Sequence, residues 1–423
     1  MCAFKYRILM FSPAFAPFAN PEAIVNSKLA LAMLNAGWQV DVIARNYVGT
    51  SDYDYGSSWV EPWLPLKIHT HEIQYEVGNN IKRLYDTFLS AGAMGFPIDG
   101  CRWARRAYDM GMKLNDKYHY NVILSRALPD FAHLPAMKMA VKTGTPWVAN
   151  WNDPWNFLRL NNAKCSLMKN IGFIKCMYTR RVAKRVSWHT FPGYKLRKIM
   201  CSYLNSNAFL KSSIIPHAAM PFKISDAEKN NSIFKIGYIG RLSKYHEPMN
   251  FFEGLKLFIK SSGLENRVSF NFIGADEIGI KEIFNKIDMP CEPHIVGKLA
   301  YIDSLKYAST FDVLLIIDPP ESKGIIMMSK IVDYVQTGKP ILAIATADST
   351  TSSIINNGGG IVADCTSLVE ISNSLSTLYA SWRVGNLDEK YGSTGLYKLF
   401  APDSILSLYQ SVFDTICPEE KRN

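Results

Sequence analysis

No apolar run in this 423-residue chain approaches the roughly 18–20 residues needed to cross a bilayer. There is no C-x-x-C pair: the eight cysteines are scattered without regular spacing. A chain of this length builds a core without disulfide staples, so a reducing cytoplasm is the expected compartment. Low-complexity tracts and short internal repeats are missing too, which sets aside fibrous and solenoid architectures. With 48% hydrophobic and 20% charged residues the chain is not a disordered one. Its first stretch, "MCAFKYRILMFSPAFAPFAN", places Lys5 and Arg7 before an apolar patch. The short ILMF run and two prolines read as a first strand and its loop rather than a signal peptide.

The longest absence is of negative charge. Between Asp153 and Asp226 no acidic residue occurs, while thirteen basic ones do, from Arg159 to Lys223. Residues 1–220 carry 27 basic and 13 acidic residues, a net of +14, against 20 and 24 in the remainder, a net of −4. Such a field suits an anionic membrane face or nucleic acid. The chain has no nucleic-acid-binding motif and its aromatics show no platform spacing, so no nucleic-acid partner is expected.

What is present is alternation. Short β-rich runs separated by helical stretches mark parallel α/β architecture. "YRILMF", "WQVDVIA", "NVILSR", "PWVANW", "SWHTF" and "SSIIPH" read as strands of a first series. The helix "EAIVNSKLALAMLNAG" would place Ile24, Leu31 and Leu34 on one face and end at Gly37. A second series runs through "FKIGYIG", "RVSFNFIG", "PHIVG", "FDVLLII", "PILAIA" and "GIVA". Two consecutive Rossmann-like domains follow, over residues 1–216 and 233–400, with 217–232 as linker. A terminal amphipathic helix, about 403–417, would pack back on the first domain. Residues 46–100, rich in Tyr, Trp, Pro and Gly, read as irregular active-site loops.

In open α/β sheets ligands sit beyond the carboxyl ends of strands, where loops enter helix N-termini. "YIGRLSKYHEP" is one such loop: Gly240 allows close backbone approach, and Arg241, Lys244 and His246 supply donors suited to a diphosphate. "MMSKIVDYVQTGKPILAIA" is another. A helix starting near Met327 would offer free N–H groups and Lys330 to an anion, with Asp333 able to accept from ribose hydroxyls. Lys330 and Asp333 are also spaced as an ordinary i, i+3 surface pair, and spacing alone leaves both readings open. In the first domain Asp153 follows a strand, where it would either orient or deprotonate a hydroxyl, or cap a helix with Pro154 at its first position. His133, in the first turn of a helix, is a catalytic candidate or a satisfied structural histidine.

"SKIVDYVQTGKPILA" resembles the nucleotide-sugar-binding segment of family 4 glycosyltransferases, of the kind that build bacterial surface polysaccharide such as lipopolysaccharide and capsule. "FKIGYIGRL", "VGKLAYIDSLKYASTFDVLLII", "LALAMLNAGWQVDVIA" and "PWVANWNDPW" add to the resemblance, in the right order over most of the chain. It implies the GT-B fold, two Rossmann-like parallel-sheet domains facing across a cleft. It also implies a retaining transfer from a UDP- or GDP-linked sugar to a glycan or polyprenyl-linked acceptor, without metal or other cofactor. Residue by residue, Asp333 would bind the donor ribose. Arg241 and Lys330, with the backbone at Met328 and Ser329, would hold the diphosphate, and the backbone at Lys298 and Leu299 would meet the base. Asp52-Tyr53-Asp54 matches the Asp-x-Asp metal motif of a different glycosyltransferase fold and is read as coincidence.

Three departures stand out. Ile325 occupies the position, eight before Asp333, where the family carries the acid that touches the donor sugar; Glu321 is near but out of register. His246 stands where a lysine or arginine is usual, and "FANPEA" replaces a glycine-rich first loop. A sugar-nucleotide epimerase of the same fold and a non-catalytic homologue that only binds therefore stay open. The basic stretch "LMKNIGFIKCMYTRRVAKRVSW", within the 159–223 basic region, suits an amphipathic helix on anionic lipid, placing the protein on the inner face of the plasma membrane. It equally suits an ordinary helix with its apolar face inward and its cations outward.

Overall fold

The computed structural model describes residues 5–18, 20–47, 68–74, 80–98, 100–154, 176–205, 207–221, 224, 232–242, 248–274, 277–319 and 322–417. Two compact units are present: Met1–Ala218 with Pro402–Asn423, and Ala219–Ala401.

The first unit holds a seven-stranded parallel sheet in the order β3-β2-β1-β4-β5-β6-β7. Its strands are β1 (Arg7–Phe11), β2 (Gln39–Asn46), β3 (His69–Gln74), β4 (Val122–Ala127), β5 (Trp147–Trp151), β6 (Trp188–Phe191) and β7 (Ser212–Ile214). β1, β4 and β5 are buried almost throughout, as strands covered on both faces must be. Helix Pro21–Asn35 starts where the Asn20 side chain accepts from the Ala23 N–H and Pro21 presets the first turn. The helix is buried nearly all round, and Ile24 and Leu34 are only half-buried, so the single apolar face expected from its pattern is not what the fold uses. Lys28 lies in the same helix and is 1% exposed.

The described parts of residues 46–100 are more regular than their composition suggests. His69–Gln74 forms the edge strand β3, paired parallel with β2, and Asn80–Met94 is a helix. The Asp52–Asp54 stretch falls outside the described residues. At the other end of the chain, Pro402–Ile416 joins the first unit: Tyr6 donates to Asp414, Arg126 Nη1 donates to Tyr409 Oη at 3.0 Å, and Phe413 packs edge-on to Tyr6.

The second unit holds a six-stranded parallel sheet in the order β10-β9-β8-β11-β12-β13. Its strands are β8 (Phe234–Ile239), β9 (Val268–Ile273), β10 (Pro293–Gly297), β11 (Val313–Ile317), β12 (Ile341–Ile344) and β13 (Gly360–Ala363). On one face helices Met249–Ser262 and Leu368–Val384 pack together over a core containing Phe252, Phe258, Phe270, Leu315 and Leu375. The order reverses between β8 and β11, both starting from the middle of the sheet. That switch point is where an open α/β sheet leaves a crevice at its carboxyl edge. Ala219 and Met220 are tied to this unit through Phe400 O and the Gln336 side chain.

Candidate active site

At the carboxyl end of β8 the chain turns through Gly240, whose φ of +109° favours glycine. Its carbonyl lies so close to Gly274, after β9, that a Cβ there would stand 2.2 Å from the oxygen. The Gly240 N–H donates to Ile273 O at 2.7 Å. Two glycines thus let neighbouring strand ends come together and clear space for a third group. That group is Lys330: a Cβ at Gly240 would meet its Cε at 3.1 Å.

Lys330 sits in helix Ser329–Val335, which begins at Met328 with no side-chain cap. Its ammonium lies 4.1 Å from the centre of the Tyr238 ring and donates to the Tyr238 hydroxyl. The hydroxyl in turn donates to Arg241 O at 3.1 Å. Burial disfavours the charged form and pushes the amine from 10.5 down to about 7, with the Asp333 carboxylate acting in the opposite sense. Asp333, one turn on, accepts from the Tyr301 hydroxyl at 2.5 Å. Tyr334 completes the support by accepting the Ile239 N–H at 3.0 Å. Lys330 and Asp333 are therefore not merely a surface pair: each is aimed by a tyrosine from a different element.

Gly240, Arg241, Met328, Ser329, Lys330 and Asp333 are brought to this edge together. Lys298 and Leu299 follow β10 on the same edge, just before helix Tyr301–Ala308 that carries Tyr301. Lys244, His246 and Glu321 lie outside the described residues. Ile325 is half-buried in a turn held by Thr350, which donates from its hydroxyl to Ile325 O at 3.3 Å. Tyr238 and Tyr301 were not singled out from sequence. A tyrosine ending a buried strand reads as core, and nothing in the chain pairs it with a lysine 92 residues away.

The first unit gathers a different set at its own carboxyl edge. Arg126, on β4 and 3% exposed, donates through Nε to Asn26 Oδ1 at 2.6 Å. Asn26 donates to Ser12 Oγ and Ala14 O, both at 2.9 Å. Asn152, just past β5, donates to Glu22 Oε1 at 2.6 Å, while its own Oδ1 is buried with no partner among the described residues. Desolvation pushes the Glu22 carboxyl from 4.5 up to about 7; Arg126 opposes this and the nearby Asp153 carboxylate adds to it. Asp153 is half-buried beside this cluster. His133 is not: it is 0% exposed, with Nδ1 2.8 Å from Ser125 Oγ, which also accepts from Trp147 Nε1 at 2.7 Å. The Trp151 ring centre is 4.2 Å away. Burial, with His189 nearby, holds His133 neutral and pushes its pKa down to about 3. In this arrangement His133 lies in the core, and its Nε2 has no hydrogen-bond partner among the described residues.

The described part of the basic stretch follows the ordinary helical pattern. Residues 176–183 are helical, with Tyr178, Val182 and Ala183 inward and Arg180 and Arg181 outward.

No protein-family model and no curated protein matches the chain by sequence. Solved structures do match by shape. Sucrose-phosphate synthase from Thermosynechococcus elongatus superposes with a TM-score of 0.67 at 12% identity, over 97% of this chain and 100% of that one. TarM of S. aureus, in complex with Fondaparinux, alpha-GlcNAc-glycerol and UDP, gives 0.61 at 10% identity over 97% and 100%. The lipopolysaccharide outer core galactosyltransferase WaaB in its apo form gives 0.56 at 11% identity over 97% and 99%. With the two parallel sheets, these likenesses show a two-domain α/β chain of the GT-B fold.

Proposed function

We propose that the protein is a retaining glycosyltransferase that moves a sugar from a UDP- or GDP-linked donor to a glycan or polyprenyl-linked acceptor in surface polysaccharide synthesis. The observation that carries this reading is the Gly240–Lys330–Asp333 cluster at the switch point of the second sheet. A lysine held near neutrality against an aromatic ring regains its full charge when an anion arrives, which suits a diphosphate. Arg241 and the uncapped backbone at Met328 and Ser329 add donors to the same group. Asp333, aimed by Tyr301, takes the ribose hydroxyls, and the backbone at Lys298 and Leu299 faces the base. As the bond to the sugar breaks, charge develops on the leaving diphosphate, and Lys330 and Arg241 stabilise it there. In the first unit, Asp153 with Glu22 beside it orients the acceptor hydroxyl. The transfer uses no metal or other cofactor. Several structures that share the fold are complexes with UDP, TarM among them, which supports the donor class.

Thermal-shift measurements with UDP, GDP and their sugars test the reading. At least one nucleotide should stabilise the protein, and Asp333→Ala should remove the response. Silence toward every nucleotide would sink the proposal. Conversion of a nucleotide sugar to its epimer without any acceptor would replace it with the epimerase reading.

A further inference from the structure

Helix Asn80–Met94 is turned inside out. Ile81, Leu84, Tyr85, Phe88 and Leu89 recur at i, i+3, i+4, i+7 and i+8, the spacing of one continuous apolar stripe. In a helix packed on a soluble domain that stripe faces the core. Here it faces outward: Ile81 is 80% exposed, Phe88 70%, Tyr85 66%, Leu84 60% and Leu89 45%. The opposite face makes the protein contacts, and much of it is polar. Asp86 pairs with Arg105 at 3.0 Å and Arg106 at 2.7 Å, both on helix Cys101–Tyr118, and Ser90 and Met94 are buried. Ion pairs thus help hold the helix on the domain while five large apolar side chains are exposed, a patch that marks an interaction surface.

A cationic segment adjoins the C-terminal end of the helix. Beyond Met94 the chain reaches Phe96, whose ring centre lies 5.2 Å from that of Tyr178. The Arg181 guanidinium sits over Phe96 at 5.3 Å. This contact ties the helix end to residues 176–185, where Arg180, Arg181, Lys184 and Arg185 are all exposed and no acidic residue occurs. Met177 on the same segment is 55% exposed.

We propose that helix Asn80–Met94 is a membrane-surface anchor that lies in the headgroup layer of an anionic bilayer. Its stripe enters the acyl boundary while the cations of 176–185 contact lipid phosphates. The basic segment alone offers charge but turns its apolar side inward; the helix supplies the apolar half of the signal. Charge argues against a second copy as occupant: a two-fold pairing through the stripe would bring both cationic flanks to one interface, where like charges repel. The inference does not depend on the glycosyltransferase reading.

Flotation of the full chain with vesicles of phosphatidylcholine, alone or mixed with phosphatidylglycerol, tests it. The protein should float with the mixed vesicles and far less with phosphatidylcholine alone. Leu84→Ser combined with Phe88→Ser should weaken partitioning about a hundredfold, from the lost apolar burial. Arg180→Gln with Lys184→Gln should weaken it about tenfold or more on the mixed vesicles. The substituted side chains are exposed, and a thermal melt checks that the variants fold. Failure of the wild type to float with mixed vesicles overturns the proposal. So does a Leu84/Phe88 variant that floats as well as wild type. A wild-type dimer by light scattering that the same variant makes monomeric would assign the stripe to self-association instead.

Discussion

At the carboxyl edge of the second sheet a lysine is held over a tyrosine ring and pushed down to about 7; at the same edge of the first sheet a glutamate is pushed up to about 7. The two sheets share parallel strands and a central start, and burial penalises charge in both. What differs is the group placed there and its neighbours. Lys330 has a π face and one offsetting carboxylate, so its site is short of an anion. Glu22 has an amide donor, a buried arginine and a second carboxylate, so its site holds a proton that can move near neutral pH. One topology thus carries a depressed amine at one edge and a raised carboxyl at the other, and the local side chains decide which.

The largest expected effect comes from removing the cation. Lys330→Met should weaken UDP or GDP binding about a hundredfold, measured by calorimetry, because a partly buried charge contact to the diphosphate is lost. The same variant should be more stable than wild type. Wild-type Lys330 pays for its buried charge fully below pH 7, progressively less between 7 and 10.5, and not at all above 10.5. The gain should therefore be on the order of 1–2 kcal/mol at pH 6 and vanish at high pH, read from denaturant titrations. A variant that loses both binding and stability would erase the contrast between the two edges.

Next in size is the pH dependence of nucleotide binding. Lys330 must be protonated to meet the diphosphate, so affinity should fall roughly tenfold per pH unit above about 7, with net proton uptake on binding. Titrations in buffers of different ionisation heat detect that uptake. Binding without proton exchange at pH 8 would show that the amine stays charged in the empty site.

Glu22→Gln probes the other edge with the opposite sign. The wild-type carboxyl carries no penalty below pH 4.5; the penalty grows between 4.5 and 7 and is complete above 7. The glutamine variant should gain about 1 kcal/mol at pH 8 and nothing at pH 4, from unfolding curves at the two values. Loss of stability at both would mean that the Asn152 contact, not the charge, dominates this edge.

The smallest effect is expected from Tyr301→Phe. It removes one hydroxyl that aims Asp333 and should weaken nucleotide binding about three- to tenfold, with the fold intact. An unchanged affinity would show that Asp333 needs no such support.

Much of the fold was legible because strand signals are local. All twelve strand runs read from the sequence appear as strands, since their β-branched and aromatic content needs no distant partner to be recognised. β3 was missed because "HTHEIQ" is a polar edge strand whose pairing with β2 carries the assignment. Helix Asn80–Met94 was missed among turn-forming neighbours although its stripe was present. Lys330 and Asp333 were legible as a spaced pair, and Gly240 as a turn. Their tyrosine partners were not, because Tyr238 and Tyr301 become partners only when β8, Tyr301–Ala308 and Ser329–Val335 meet at one edge. Asp153 stood out beside a proline, whereas Glu22 looked like an ordinary first-turn acid until Asn152 and Arg126 surrounded it. His133, polar in the sequence, is buried against Trp147 and Trp151.

By itself the sequence determined the alternation of strands and helices, the two parallel series, and the presence of a lysine and an aspartate one turn apart after a buried strand. Those features rest on propensity and periodicity, which act over a few residues. The tertiary structure alone decided how charged each group is and which way it faces. Desolvation and ring contacts come from residues tens to hundreds of positions away, and they depress the Lys330 amine, raise the Glu22 carboxyl and leave the stripe of Asn80–Met94 facing outward.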